Sequence, residues 1–374
     1  MYICESIYTK TNMEKKRENF KKDKPTKYDI FNLPPRLFKY YGYDSQLNAK
    51  RLSGEVYLAC PYDFNDPCDC QREVINNAAQ KVELKGPEWL ETKMEELGFD
   101  DNECRQLTEG LINDNQDIKE RVHKRMLEKL GILCLTGTQA DTLMWGYYAN
   151  NEGICIEYDV SRLVKQIVLG YINKMNYLTT KFLYEKRQYN KDPEDKTPDL
   201  KKEVIQEAQK LIRENDVNKI TNRYLREQND QHHLLNFVRN IFLKRIYAQS
   251  IIYNVAPDGS PSTLFYNHDD KASQTKYFKK TKTWSHENEF RFIVSLGGRT
   301  PINIGKDCIK NIYLGCNMPN EKVVAVAYLM AKNNLSAGLY KMKRLKNCGL
   351  APCVINWQKY KNHLDELETV ITLS

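Results

Sequence analysis

Glu287, Glu289 and Arg291 occupy alternate positions in the run Thr283-Trp284-Ser285-His286-Glu287-Asn288-Glu289-Phe290-Arg291-Phe292-Ile293-Val294. Read as a β-strand, the two-residue period puts these three charges on one face and Phe290, Phe292 and Val294 on the other. Such a strand is either a solvated surface with a neighbouring Glu–Arg pair or the wall of a polar cleft. In a cleft, an ionised carboxylate stabilises positive charge that develops on a substrate. Glu289 is the candidate for that task. Glu287 could orient an acceptor or take its proton. Arg291 could hold a phosphate or lock Glu289 in place. If the cleft is open, Glu289→Gln is expected to abolish activity while barely changing thermal stability.

Other residues could complete a cleft. Tyr40, Tyr62, Trp145 and Tyr148 offer flat faces for an aromatic ring, although each could be core or interface packing, which suits Trp145 better. Lys39 is either a phosphate contact or a surface lysine. Asn65-Asp66-Pro67 either shapes a turn or contributes Asn65 and Asp66 to a ligand site. His286 falls in the apolar register of its strand, which suits a structural histidine better than a general base. Cys60, Cys68 and Cys70 cluster in sequence but lack a second matched pair, and His286 is the only further ligand in view, so no metal is expected.

The elements that must position these residues are short. Strands are predicted over 37–41, 55–59, 132–136, 154–158, 309–315 and 338–345, with strand chemistry also over 277–294. Helices are predicted over 44–53, through most of 71–130, over 143–149, from 161 and over 321–333. Residues 198–250, rich in Lys, Glu, Gln and Asn, read as a helical insertion. Strand runs broken by helix runs, without regular βαβ alternation, predict an α+β fold with a mixed or antiparallel central sheet. Residues 1–30 read as a flexible basic leader, and 31–374 as a single domain.

The 374 residues include 41% hydrophobic and 28% charged side chains, which suits a globular chain. The net charge of +8 favours contact with polyanions. No run of about 18 apolar residues is present, so no membrane partner is expected. Without the apolar middle region of a signal peptide, the chain reads as cytoplasmic, with its 11 cysteines reduced. Walker, dinucleotide-glycine, HExxH, paired CxxC and Gly-x-Ser-x-Gly motifs are all absent from the sequence, which removes several common enzyme classes.

Five segments, in order, are similar to an uncharacterised bacterial family, domain-of-unknown-function family 2971. They are Leu37-Phe38-Lys39-Tyr40, Asn65-Asp66-Pro67, Leu143-Met144-Trp145-Gly146-Tyr147-Tyr148-Ala149, Trp284 through Arg291, and Ile309 through Gly315. A weaker resemblance links Lys39 and the Glu287-Asn288-Glu289 strand to ADP-ribosyltransferases. In those enzymes the opening strand carries His or Arg for the ribose of NAD, where this chain has Lys39, and a late strand carries the catalytic Glu. Lysine cannot fork or stack as those residues do.

That resemblance implies an ADP-ribosyltransferase-like fold with NAD as substrate. It implies catalytic roles for Glu289 and Glu287, and NAD contacts from Lys39, Tyr40, Asn65, Asp66, Trp145, Tyr148 and Arg291. The expected function is an NAD-consuming transferase or glycohydrolase, such as a bacterial toxin or phage-defence effector with a nucleic acid or protein acceptor. Two alternatives stand beside it. The net charge and 24 tyrosines suit a nucleic-acid-binding or nucleic-acid-processing protein without NAD chemistry. A regulatory module whose charged strand is simply solvated is the third reading.

Overall fold

The computed structural model describes residues 33–66, 69–70, 82, 86–96, 99–173, 206, 209–210, 213, 246–251, 253, 275–278, 280, 282–294, 297–346 and 348–358. The basic leader and most of the predicted insertion lie outside the described residues.

Ten strands are seen among them: β1 (Arg36–Tyr41), β2 (Glu55–Leu58), β3 (Gly131–Thr136), β4 (Ile154–Asp159), β5 (Ile246–Ser250), β6 (Glu289–Val294), β7 (Thr300–Asn303), β8 (Ile309–Leu314), β9 (Gly338–Arg344) and β10 (Leu350–Val354). Eight form one sheet in the order β10-β9-β8-β4-β1-β3-β6-β5, and β2 pairs with β7 separately. Every pairing is antiparallel except β8 with β9. A parallel pair needs a crossover, and helix Asn320–Lys332 supplies it between those two strands. The α+β class with a mostly antiparallel mixed sheet is therefore what the chain adopts.

The helices are α1 (Ser45–Leu52), α2 (Pro87–Glu96), α3 (Asp101–Ile112), α4 (Gln116–Glu128), α5 (Thr142–Ala149), α6 over residues 160–173, and α7 (Asn320–Lys332). Several starts have explicit caps. Asp100 and Glu103 form a capping box on α3. Asp141 accepts hydrogen bonds from Leu143 and Met144 at the start of α5, satisfying donors that would otherwise be unpaired. Asn150 ends α5 in the left-handed region, at φ 49°, a conformation asparagine tolerates better than most residues. No helix among the described residues is long and apolar enough to cross a membrane.

The central strands of the sheet are buried on both faces. On one, Leu37, Leu135, Ile156, Phe292 and Val294 pack with Leu163, Ile167 and Ile172 of α6 and Val326 and Met330 of α7. On the other, Phe38, Tyr40, Cys155, Tyr313 and Met342 meet Met144, Trp145 and Ala149 of α5. Helices α2, α3 and α4 hold a separate apolar cluster. Burying both faces removes the simple inside–outside alternation by which a half-exposed strand is read.

Two expectations change here. Residues 282–287 form a 3-10 helix, and the strand begins only at Glu289. Glu287 therefore lies outside the ladder. Residues 246–250, assigned to the helical insertion, form an edge strand instead. Ile246 and Ala248 face the core there, so the alternation of that five-residue segment decides its state.

Candidate functional site

Strands β1 and β3 touch at a single pair, Phe38 with Thr136, whereas β1 pairs with β4 at six positions. Where β1 and β3 part, a cavity of about 250 Å³ opens. Lys39 donates from Nζ to the Cys134 carbonyl at 2.9 Å. Ala59 and Ile132 exchange backbone hydrogen bonds on the far side, tying the end of β2 to β3.

Seven of the residues singled out in the sequence line this cavity: Lys39, Tyr40, Asn65, Tyr148, Glu287, Glu289 and Arg291. Two others do not. Trp145 is wholly buried beneath it, edge-on to Tyr40, with its indole nitrogen donating to the Gln139 carbonyl at 2.8 Å. That hydrogen bond satisfies the indole inside the core, so Trp145 presents no face to a ligand. Asp66 is buried outside the lining. Tyr62 is exposed and also outside it.

The local backbone explains how Glu287 and Glu289 meet. Asn288 between them has φ 41°, a left-handed turn of chain. A Cβ at Gly137 would stand 2.3 Å from Asn288 Nδ2, so the absence of a side chain on Gly137 leaves room for this turn. Thr136 donates to the Glu287 carbonyl at 2.6 Å and fixes the end of the 3-10 helix. The two carboxylates then converge on Lys280, whose Nζ lies 2.6 Å from Glu287 Oε2 and 3.2 Å from Glu289 Oε2.

Arg291 is completely buried. Its Nε reaches Glu289 Oε1 at 2.6 Å, and its terminal nitrogens fork onto Asp69, with one bond of 2.8 Å. The Tyr277 carbonyl accepts another at 2.8 Å. With its donors engaged in this way, Arg291 holds Glu289 and does not serve as a phosphate contact. The charged face of β6 is thus not a solvated surface. It is a buried ion network in which removal of one partner strands the others. The expectation that Glu289→Gln would leave stability almost unchanged is tied to an open cleft, a condition this buried network does not meet.

The environments of the two glutamates pull their acidities apart. Burial raises the Glu287 pKa, and the nearby Glu289 charge adds to this; Lys280 and Tyr148 only partly oppose it. Burial also acts upward on Glu289, but the charge and hydrogen bonds of Arg291, with Lys280 behind them, prevail and hold its pKa down. Glu289 stays ionised while Glu287 becomes the readily protonated member. A carboxylate pair divided in this way is a recurrent acid–base arrangement. Tyr148 donates its hydroxyl to Glu287 Oε1, and Asn65 donates to that hydroxyl at 3.2 Å. Lys39 has its pKa lowered, chiefly by burial.

With Glu287 ionised, three carboxylates (Asp69, Glu287, Glu289) face two paired cations (Lys280, Arg291). That wall then carries one uncompensated negative charge. Protonating Glu287 removes it.

Asp69 and Lys280 were missed in the sequence. Asp69 lies in a turn-like run and Lys280 among Lys276, Lys279 and Lys282, and nothing local marks either as a partner of Arg291 or Glu287. His286 lies outside the lining, with Nδ1 hydrogen-bonded to the Thr283 carbonyl at 3.2 Å. Among the described residues, no three His, Cys, Asp or Glu side chains are grouped as a metal site.

The fold and site thus define an α+β protein with a small, aromatic-walled cavity closed at one end by a buried ion network. Residues 144–292 match the family described as a protein of unknown function, DUF2971. The match covers less than half of the 374 residues. It takes in the Trp284-to-Arg291 segment and nearly all of the α5 motif, but not the segments at 37–40, 65–67 and 309–315. No curated protein and no solved structure matches the chain.

Proposed function

We propose that this protein cleaves the nicotinamide–ribose bond of NAD, passing the ADP-ribosyl group to water or to another acceptor, on an ADP-ribosyltransferase-like fold. The observation that carries this reading is the split pair: an ionised Glu289 and a protonatable Glu287 bridged by Lys280 in one cavity wall.

The chemistry matches what that wall offers. Breaking the bond builds positive charge on the ribose, as in glycoside cleavage. A fixed carboxylate whose geometry does not have to reorganise stabilises such charge well. Glu289 is fixed by Arg291, and the uncompensated negative charge of the network appears when Glu287 ionises. Nicotinamide leaves as a neutral molecule, taking the electrons of the broken bond. Glu287 then accepts the proton of the incoming water or acceptor group as the new bond forms at the ribose.

The cavity, at about 250 Å³, falls below the ~300–1,000 Å³ usual for drug-sized ligands. It therefore suits the nicotinamide–ribose half of NAD, with Tyr40, Tyr148, Phe38 and Phe64 as walls and the rest of the dinucleotide outside. Lys39, whose side chain has no carboxylate within ion-pair distance among the described residues, is the proposed contact for the first phosphate. Incubating the purified protein with NAD and assaying free nicotinamide tests the proposal. Release above the rate of spontaneous hydrolysis is expected, and its absence at several pH values would reject the NAD reading.

A further inference from the structure

Beside the cavity mouth lies a group of aromatic side chains that takes no part in the chemistry above. Tyr147 is 68% exposed on α5. Its ring lies 6.0 Å from that of His286, which is in turn 6.1 Å from Trp284 and inclined to it by only 30°. Trp284 and His286 are half-buried, and Leu143, 47% exposed, extends the same side of α5. Each ring is tied directly to the cavity wall. Tyr147 precedes Tyr148, His286 precedes Glu287, and Lys280 stands 5.0 Å from the centre of the Trp284 ring.

Resting on the proposed transfer reaction, we infer that Tyr147, His286 and Trp284 form a stacking platform for a base of single-stranded nucleic acid, and that this strand is the ADP-ribosyl acceptor. Exposed Tyr147, tilted by 52° to the half-buried His286 beside Trp284, offers ring surface to unpaired bases, for which stacking needs no particular sequence. Charge favours a polyanion over a basic or neutral partner. The chain carries +8 overall, and exposed Lys282 begins the 3-10 turn that bears Trp284 and His286. A strand held there brings a base amine or ring nitrogen to the side of the cavity that Glu287 lines. In transfer, the C–N bond to nicotinamide breaks with its electrons leaving on nicotinamide. The acceptor nitrogen bonds to the same ribose carbon, and its proton passes to Glu287.

Fluorescence anisotropy of the full-length protein with a labelled oligodeoxythymidylate, and with its RNA counterpart, tests the platform without NAD present. Binding is expected, falling steeply with added salt. Tyr147→Ala and Trp284→Ala should each weaken it by about 5- to 100-fold, while Trp284→Phe should retain most of it. Tyr147 is exposed, so Tyr147→Ala is also expected to leave the melting temperature and NAD hydrolysis without oligonucleotide unchanged. Equal binding by wild type and both alanine variants would overturn the inference, as would no binding at low salt. Transfer of label from NAD to protein but never to the oligonucleotide would do so as well. Because binding is read apart from turnover, failure of the platform and failure of the NAD reading are distinguishable.

Discussion

The ammonium of Lys280 bridges Glu287 and Glu289, 2.6 Å from one carboxylate and 3.2 Å from the other. The bridge makes one unit of two groups with opposite tendencies. Glu289 has a second cation in Arg291, whereas Glu287 has a tyrosine hydroxyl. The unequal partners, more than the shared lysine, separate their acidities.

Breaking the Arg291 network should be costly. Glu289→Gln and Arg291→Ala are each expected to lose about 3–5 kcal/mol of stability, the usual penalty for stranding one member of a buried ion pair. Urea unfolding of both variants checks this. Glu287→Gln should cost much less, because Lys280 retains Asp69 and Glu289.

Acid should attack the same network. The Glu289 pKa is held below its ordinary value of 4.5. Its stabilising contribution is therefore complete above that value and is lost as pH falls through the depressed folded-state pKa. Glu287 works in the opposite sense. Its raised pKa contributes stability below 4.5 that is lost as pH rises through the folded-state value. Melting temperatures measured downward from pH 5 should fall for the wild type. In Glu289→Gln the decline should be shallower.

Six strands of the main sheet could be read in the sequence, and much of the cavity could too, but the two edge strands β5 and β10 could not. Leu37, Ile156 and Phe292 sit in strands whose β-branched and aromatic content marks them, and Lys39, Tyr40, Tyr148 and Glu289 follow from those strands and from α5. The resemblance counted Trp145 among the NAD contacts, yet an aromatic residue in a helix looks the same whether its ring faces a ligand or the core. The turn at Asn288 was hidden for another reason: alternate glutamates suggest a continuous pleat, and the left-handed residue between them gives no periodic signal. Asp69 and Arg291 are 222 positions apart, and only the folded sheet brings them together.

Tyr148→Phe should act through acidity. The hydroxyl stabilises ionised Glu287, so its removal should raise the Glu287 pKa further. If turnover needs Glu287 ionised, the rising limb of the pH–rate profile should move to higher pH, with little change in melting temperature. An unchanged limb would argue that another group controls that step.

Lys39→Met should weaken NAD binding more than catalysis. If the amine contacts a phosphate, as proposed, KM should rise by about 10-fold or more, in line with a lost charge-assisted hydrogen bond. kcat should change little. Steady-state kinetics with NAD separate the two, and a fall in kcat alone would remove Lys39 from the binding role.

The most direct measurement is nicotinamide release from NAD by the wild type and by Glu287→Gln, assayed together under conditions where both are shown to be folded. Wild-type protein should release nicotinamide, and the variant should be slower by on the order of 10²–10⁴-fold, the range for loss of a positioned acid or base. Equal rates in the two proteins, or no release by the wild type, would contradict the assignment of this carboxylate pair to NAD cleavage.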